Sequence, residues 1–440
     1  MSKSRGIVDI GRSLMLVSVL LSSAQLLSQI TPLSATEQLK FVVIVSRHGV
    51  RSPTGKADQL NQYSSQPWPV WSVPPGYLTE HGFKLMTLFG AYDRELFIKQ
   101  GLLSGEGCND ADHITILADS DQRTRETGKA IAAGLVPGCQ VEVRALAEGT
   151  PDPLFHPLET DGIHLNKQRA TAAIAGRIGN NPAGLVEAYR PQLEALEAVL
   201  RGTDVQGTGA AASPSPEASL FDLPSSLAPG KGDHLVDLRS PLGTAATISE
   251  NLLLEYTEGM PHVGWGRVDA NKLRELLQLH TASADLERRT LYIARIQSAP
   301  LLGHVLDSME QAIAQKPLSG ALGKPSDRLL ILVGHDTNLT NIAGALDLSW
   351  LIDGRRDDTP PGGALVFELW QQGSASDYSV RAYYTAQTLD QMRNATPLSL
   401  VNPPDRAPLF MPGCSKADAS CSWDTFRPTV REAIDAATLR

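Results

Sequence analysis

Three short segments, far apart in the chain, hold side chains suited to a single chemistry. Arg47-His48-Gly49-Val50-Arg51-Ser52-Pro53-Thr54 follows one apolar run, Asp119-Ser120-Asp121-Gln122-Arg123-Thr124-Arg125 a second, and Gly334-His335-Asp336-Thr337-Asn338 a third. Arginine's planar fork donates two hydrogen bonds to two oxygens, and its charge does not titrate away. Several arginines around one point fit a dianionic, tetrahedral group such as phosphate, whose charge in transfer spreads over its equatorial oxygens. A neutral imidazole can attack phosphorus in line and form a phosphoramidate. The leaving alkoxide needs a proton, and Asp336 is the acid at the end of the third run. These residue types predict that Arg47, Arg51, Arg123 and His335 hold a phosphate and that His48 attacks it. Asp336 protonates the leaving oxygen, then as carboxylate helps water hydrolyse the intermediate. Asp336 must be protonated when an anion binds beside it, so an acidic pH optimum is expected.

These side chains meet only if the three apolar runs are neighbouring strands. Residues 41–46 (FVVIVS), 113–118 (HITILA) and 329–333 (LLILV) are continuous apolar, β-branched stretches, as buried parallel strands are. After the second run, Thr124, Thr127, Ala130 and Ile131 fall at helical spacing within 121–135, and 338–346 follows the third. Strand, loop and helix in repetition predict an α/β fold with a mainly parallel central sheet flanked by helices. In such a sheet the carboxyl ends of the strands open on one edge, where ligands bind. Helical periodicity also marks residues 166–201, 248–257 and 269–282, while 202–232 is rich in Gly, Ala, Ser and Pro and reads as a long surface loop. Residues 284–315 return the chain to the core. The expected organisation is a core of residues 36–164 and 287–440 with an inserted all-α cap at 165–286.

The chain has 440 residues, 42% of them hydrophobic, enough for a large core, and a net charge of -9 gives no electrostatic footprint for nucleic acid. Lys3, Arg5 and Arg12 precede an apolar stretch at 14–27 that Ser and Gln interrupt. It is too short for a hydrocarbon layer of ~30 Å, so residues 1–35 read as an export signal cleaved after Ala35, with no membrane attachment afterwards. The four cysteines, Cys108, Cys139, Cys414 and Cys421, form no C-x-x-C pair, which argues against a zinc ribbon. They allow three pairings; Cys108–Cys139 with Cys414–Cys421 is the most local, and an oxidising compartment would hold both. There is no G-x-S-x-G elbow, no phosphate loop and no dinucleotide fingerprint after the first strand. No cofactor and no metal are expected, the partner is a small-molecule phosphomonoester, and the protein is expected to be a monomer.

The segment 47–54 resembles the signature of the histidine acid phosphatases, branch 2 of the histidine phosphatase superfamily, and His335-Asp336-Thr337-Asn338 resembles their distal motif. The likeness extends to the bacterial periplasmic phytases through Pro151-Asp152-Pro153-Leu154-Phe155, Gly259-Met260-Pro261, Gly264-Trp265-Gly266-Arg267 and Thr359-Pro360-Pro361-Gly362-Gly363. The resemblance implies the roles given above, with Thr54 as a further pocket residue. It also implies the local disulfide pairing and a substrate held between an α/β domain and a helical one. Phytate carries several phosphates, and those not being cleaved need outer cations. An outer pocket of Lys56, Met260, His262 and Arg267 is expected. Gly55 displaces Lys56 by one residue, His262 stands where an acid is expected and Gln297 where a base is. A phytase is therefore the leading expectation, a sugar-phosphate phosphatase such as a glucose-1-phosphatase its near rival. A non-catalytic phosphate-ester binding protein would explain the arginines and the export signal but not the His48/Asp336 pair.

Overall fold

The computed structural model describes residues 37–55, 57–159, 166–202, 216–232, 234–373 and 376–436. The expected export signal and Lys56 lie outside the described residues. The strands are β1 (Glu37–Arg47), β2 (Ile114–Ala118), β3 (Val143–Arg144), β4 (Ser226–Pro229), β5 (Val236–Arg239), β6 (Leu329–Gly334), β7 (Leu351–Ile352), β8 (Arg355–Arg356), β9 (Ala364–Gln372), β10 (Tyr378–Ala386), β11 (Asp405–Pro408) and β12 (Ser420–Ser422). The helices are α1 (Ala57–Asn61), α2 (Glu80–Lys99), α3 (Gln122–Leu135), α4 (Lys167–Arg177), α5 (Gly184–Ala188), α6 (Arg190–Arg201), α7 (Pro241–Thr257), α8 (Ala270–Glu287), α9 (Leu291–Ala314), α10 (Asp336–Leu346), α11 (Leu389–Arg393) and α12 (Trp423–Asp435).

The central sheet runs β11-β10-β9-β1-β6-β2-β3, with β12 also paired to β10. The strands β1, β6, β2 and β3 are parallel, as the three apolar runs predict. The other half, β9 to β12, is antiparallel and comes from segments that periodicity did not mark. Alternation assigns the faces. Phe41, Val43 and Val45 join Leu330, Leu332, Leu365 and Phe367 under α9, α10 and α12. Val42 and Ile44 join Leu329, Ile331 and Val366 under α2 and α3. A strand covered on both faces has no polar side to show, which is why β1 and β6 are continuous apolar runs. The helices α2 and α3 pack backbone to backbone: a Cβ at Gly90 would lie 2.3 Å from the Ile131 carbonyl oxygen, and one at Gly134 2.0 Å from that of Thr87.

A second apolar cluster gathers Leu193, Leu196 and Leu200 of α6, Ile248 and Leu252 of α7, and Leu273, Leu276 and Leu277 of α8. Each is fully buried, contributing about 1.5–3 kcal/mol of transfer free energy. This layer brings α7 and α8 against the carboxyl edge of the sheet, where Glu250 meets Arg47 and Arg288 meets Asp336. The expected loop at 202–232 is only partly a loop. Residues 203–215 lie outside the described residues, but Leu220–Asp222 forms a 3-10 turn and β4 pairs with β5 in a hairpin. Ser219 and Asp222 cap each other's backbone, and Glu197 accepts the Leu220 N–H at 2.6 Å. Those local hydrogen bonds organise a stretch whose composition alone looked aperiodic.

Candidate functional site

Register brings the three segments together. Arg47 pairs with Gly334, and Ala118 with Val333, so the chain leaves β1, β2 and β6 at one level. The His48 N–H then donates to the Gly334 carbonyl at 3.0 Å and the Asp119 N–H to that of Val333 at 3.0 Å. The rings of His48 and His335 stand 5.6 Å apart, centre to centre. His48 is 2% exposed, and its Nδ1 lies 2.8 Å from the Gly49 carbonyl oxygen. A carbonyl can only accept, so Nδ1 carries the proton and Nε2 is left with a lone pair. Burial, with the charges of Arg51, Arg47 and Arg123, holds the imidazole's pKa well below its ordinary 6.5. That favours the neutral ring, the form of imidazole able to attack phosphorus.

The guanidinium groups are fixed before any anion arrives. Arg47 is fully buried and donates to Glu250 and to the Thr359 carbonyl. Arg51 donates to the Ser52 carbonyl at 3.0 Å and to the same Glu250 oxygen at 3.3 Å. Burial brings Arg51 down to about 10, which leaves it charged at any physiological pH. Arg123 pairs with Asp121 at 2.5 Å and reaches His335 Nδ1 at 3.5 Å. In all three arginines the Nε donor is buried with no acceptor. Orphaned buried donors are rare, and an oxyanion is the group that would satisfy three at once.

His335 and Asp119 form a supporting pair. His335 Nε2 donates to Asp119 Oδ2 at 2.6 Å, and His156 Nε2 lies 2.8 Å from the same oxygen. Burial opposes charge on Asp119, but the hydrogen bonds from His156 and His335 outweigh it and hold the carboxyl below the usual range. The bond to Asp119 raises His156, while burial lowers His335. Asn338 accepts the His335 N–H at 2.9 Å and donates to the Phe155 carbonyl at 2.8 Å, which fixes the turn into α10. Asp336 is the first residue of that helix, where the positive end of the dipole favours a carboxylate. Burial again opposes its charge, and Arg288, Arg47 and His280 outweigh it; Arg288 also donates to it directly.

Two cavities open beside these groups. One, of about 380 Å³, is lined by His156, His234, Arg288, Gln297 and His335 among others. The second, of about 430 Å³, is lined by Arg51, Thr54, Glu250, His280, Arg288 and Asp336 among others. The expected outer pocket is not drawn together there. Arg267 donates to the Val199 carbonyl at 2.8 Å and lies over the Trp265 ring, the Met260 carbonyl accepts from Arg393 at 2.8 Å, and His262 is exposed. None of these three lines either cavity. Glu250, His280, Arg288 and His156 stand at the site without having been singled out from the sequence. The signal available for Glu250 was weak: it sits in the polar run Ser249-Glu250-Asn251 of a helix that the structure buries almost all round. Among the described residues, two groups, Asp119/His156/His335 and Glu250/His280/Asp336, bring possible ligand atoms within 4.8 Å of one another. Both disulfides of the local pairing are formed, Cys108–Cys139 and Cys414–Cys421.

A neutral imidazole at a strand end, among guanidinium groups, makes phosphoryl transfer the class of chemistry this fold serves. Comparison with known proteins gives the same class: a match to the histidine phosphatase superfamily (branch 2) covers residues 38–194 and 245–385, and the chain belongs to that family. It is 38% identical over 434 residues to phytase AppA of Escherichia coli, covering 96% of this chain and 100% of that one. It is 30% identical to a glucose-1-phosphatase of Salmonella typhimurium, covering 93% and 95%. Among solved structures, the Hafnia alvei phytase in complex with myo-inositol hexakis sulphate superposes with a TM-score of 0.82 at 36% identity, covering 92% of this chain and 100% of that one. The chain is a phosphomonoester hydrolase of the family.

Proposed function

We propose that the protein is an exported acid phosphatase of the phytase type, with His48 as nucleophile and Asp336 as proton donor. The observation that carries the reading is the Nδ1–H bond from His48 to the Gly49 carbonyl, which leaves Nε2 with a lone pair on a ring that feels the charges of three arginines with unsatisfied donors. His48 Nε2 forms a bond to phosphorus as the bond to the ester oxygen breaks, and Asp336 gives that oxygen its proton. Water then attacks the phosphohistidine, Asp336 takes a proton from it, and the N–P bond breaks to release phosphate. Arg47, Arg51, Arg123 and His335 hold the equatorial oxygens throughout, with Thr54 at the rim. Residues 1–35 serve as the export signal to the periplasm, and 165–286 as the helical cap over a monomeric enzyme. Among the described residues no helix is long and apolar enough to cross a membrane.

Phytate is the favoured substrate because the relative with 38% identity and the superposed solved structure are both phytases, the second holding a hexasulphate analogue. A glucose-1-phosphatase is the second reading, supported by the relative of that name at 30% identity. Turnover of phytate and glucose 1-phosphate, compared at about pH 5, separates the two. Labelling with radioactive phosphate tests the chemistry: wild type traps label on His48, and His48→Ala traps none and loses at least ~10³-fold in kcat. Label on another side chain would overturn the assignment.

A further inference from the structure

Arg288 has no task in the proposed reaction, yet it touches the acid. Its guanidinium donates to Asp336, and its side chain is 31% exposed where that of Asp336 is 16% exposed. Glu287 and Arg288 are the residues that line both cavities. Arg288 therefore borders both cavities and is bonded to the acid, which itself lines the second of them. The groups around Asp336 are Arg47 at the end of β1, Arg51 after it, Arg123 of α3, Glu250 of α7, His280 of α8, Arg288 at its C-cap and Tyr384 of β10. Arg47 cannot leave, being fully buried and bonded to Glu250 and the Thr359 carbonyl. Arg288 lies just beyond the last turn of α8, at the negative end of its dipole, and has cavity on both sides.

A carboxylate bonded to a guanidinium has no proton to give. It is freed if the guanidinium finds another anion, and phosphate is at least as good a partner for arginine as a carboxylate. The scissile phosphate is taken by the strand-end arginines. The cavities that Arg288 lines adjoin that site and leave room for a further phosphate of the substrate. We propose that Arg288 latches Asp336 in the free enzyme and is drawn off by a second, neighbouring phosphate of the substrate, so that the site selects vicinal polyphosphates over simple monoesters. This inference rests on Asp336 being the proton donor.

The test compares inositol monophosphate with a vicinal inositol bisphosphate, both with alkoxide leaving groups, in wild type, Arg288→Met and Arg288→Lys. In wild type the alkaline limb of the kcat profile lies at higher pH for the bisphosphate, a comparison that needs no variant. In Arg288→Met the limb for the monophosphate moves up in pH and its kcat near neutrality rises, while KM for the bisphosphate rises roughly tenfold. Arg288→Lys restores part of the bisphosphate KM. Coincident wild-type limbs, or an equal loss on both substrates in Arg288→Met, would overturn the latch. Asp336→Asn is the separate control: undiminished kcat in that variant would remove the proton-donor assignment itself.

Discussion

Replacing Glu250 by Gln should destabilise the free enzyme, and the phosphate-bound enzyme by roughly a third less. Its carboxylate serves Arg47 and Arg51 together, with side-chain exposures of 10%, 1% and 12% respectively. Removing one member of a buried ion pair leaves an uncompensated charge and costs about 3–5 kcal/mol. The unit from Glu37 to Arg440 spans about 400 residues, which at ~2.1 cal/mol/K each gives an unfolding entropy of about 0.85 kcal/mol/K. The expected fall in Tm is therefore about 4–6 °C. Phosphate should close part of that gap. In wild type it competes with Glu250 for the two guanidinium groups; in Glu250→Gln it does not. If affinity rises tenfold as a result, saturating phosphate returns about 1.4 kcal/mol, or ~1.6 °C. Calorimetric scans of both proteins at about pH 5, in phosphate and in chloride of equal ionic strength, measure both effects. An unchanged Tm in chloride would show that Glu250 does not neutralise the arginines. A gap of the same size in both buffers would show that phosphate does not bind where Glu250 points.

Burial pushes the Asp93 carboxyl from its ordinary 3.8 up to about 7. Its folded pKa exceeds its unfolded one, so its contribution to stability is intact below 3.8 and is lost as pH rises through about 7. Asp93→Asn should therefore gain on wild type between pH 5 and 8, by about 3 kcal/mol, as seen in denaturant midpoints; a difference that does not vary with pH would refute the assignment. The two disulfides close loops of different length, with separations of 31 and 7 residues. Loop-closure entropy predicts a loss of about 3.7 kcal/mol for Cys108→Ser/Cys139→Ser against about 2.5 kcal/mol for Cys414→Ser/Cys421→Ser. Urea unfolding of the two double variants should rank them in that order.

The residues legible in the sequence are those that leave buried strands. Arg47, His48, Arg51, His335 and Asp336 each lie within a few residues of an apolar, β-branched run, and the rule that ligands bind at strand carboxyl ends does the rest. Glu250, His280 and Arg288 lie on or beside helices, and which face of a helix meets the site depends on packing that no local pattern encodes. Glu250 lies in the polar run Ser249-Glu250-Asn251 of α7, just as a solvated position would. The antiparallel half of the sheet was hidden by its own chemistry: Glu368, in the middle of β9, is fully buried because Arg406, Gln100 and Trp370 bond to it. Arg267 drew notice as a cation within a segment that resembles the phytases, but its guanidinium bonds a backbone carbonyl and lies over an indole.

A protein of net charge -9 that gathers four arginines at one edge of a sheet must keep them from repelling one another. Three carboxylates pair with the four: Glu250 with both Arg47 and Arg51, Asp121 with Arg123, and Asp336 with Arg288. Binding phosphate is then an exchange of internal for external anions, and part of its intrinsic affinity goes to displacing the carboxylates. Ground-state affinity is reduced by that exchange, while the in-line transfer geometry, with its charge spread over the equatorial oxygens, keeps the full strength of the guanidinium ring. The displaced carboxylates meet different fates. Glu250 and Asp121 simply lose a partner, whereas Asp336, once parted from Arg288 and facing a dianion, is driven to take up the proton that the leaving oxygen needs. The same ion pair that makes the empty site stable thus ties the protonation of the acid to the arrival of the substrate.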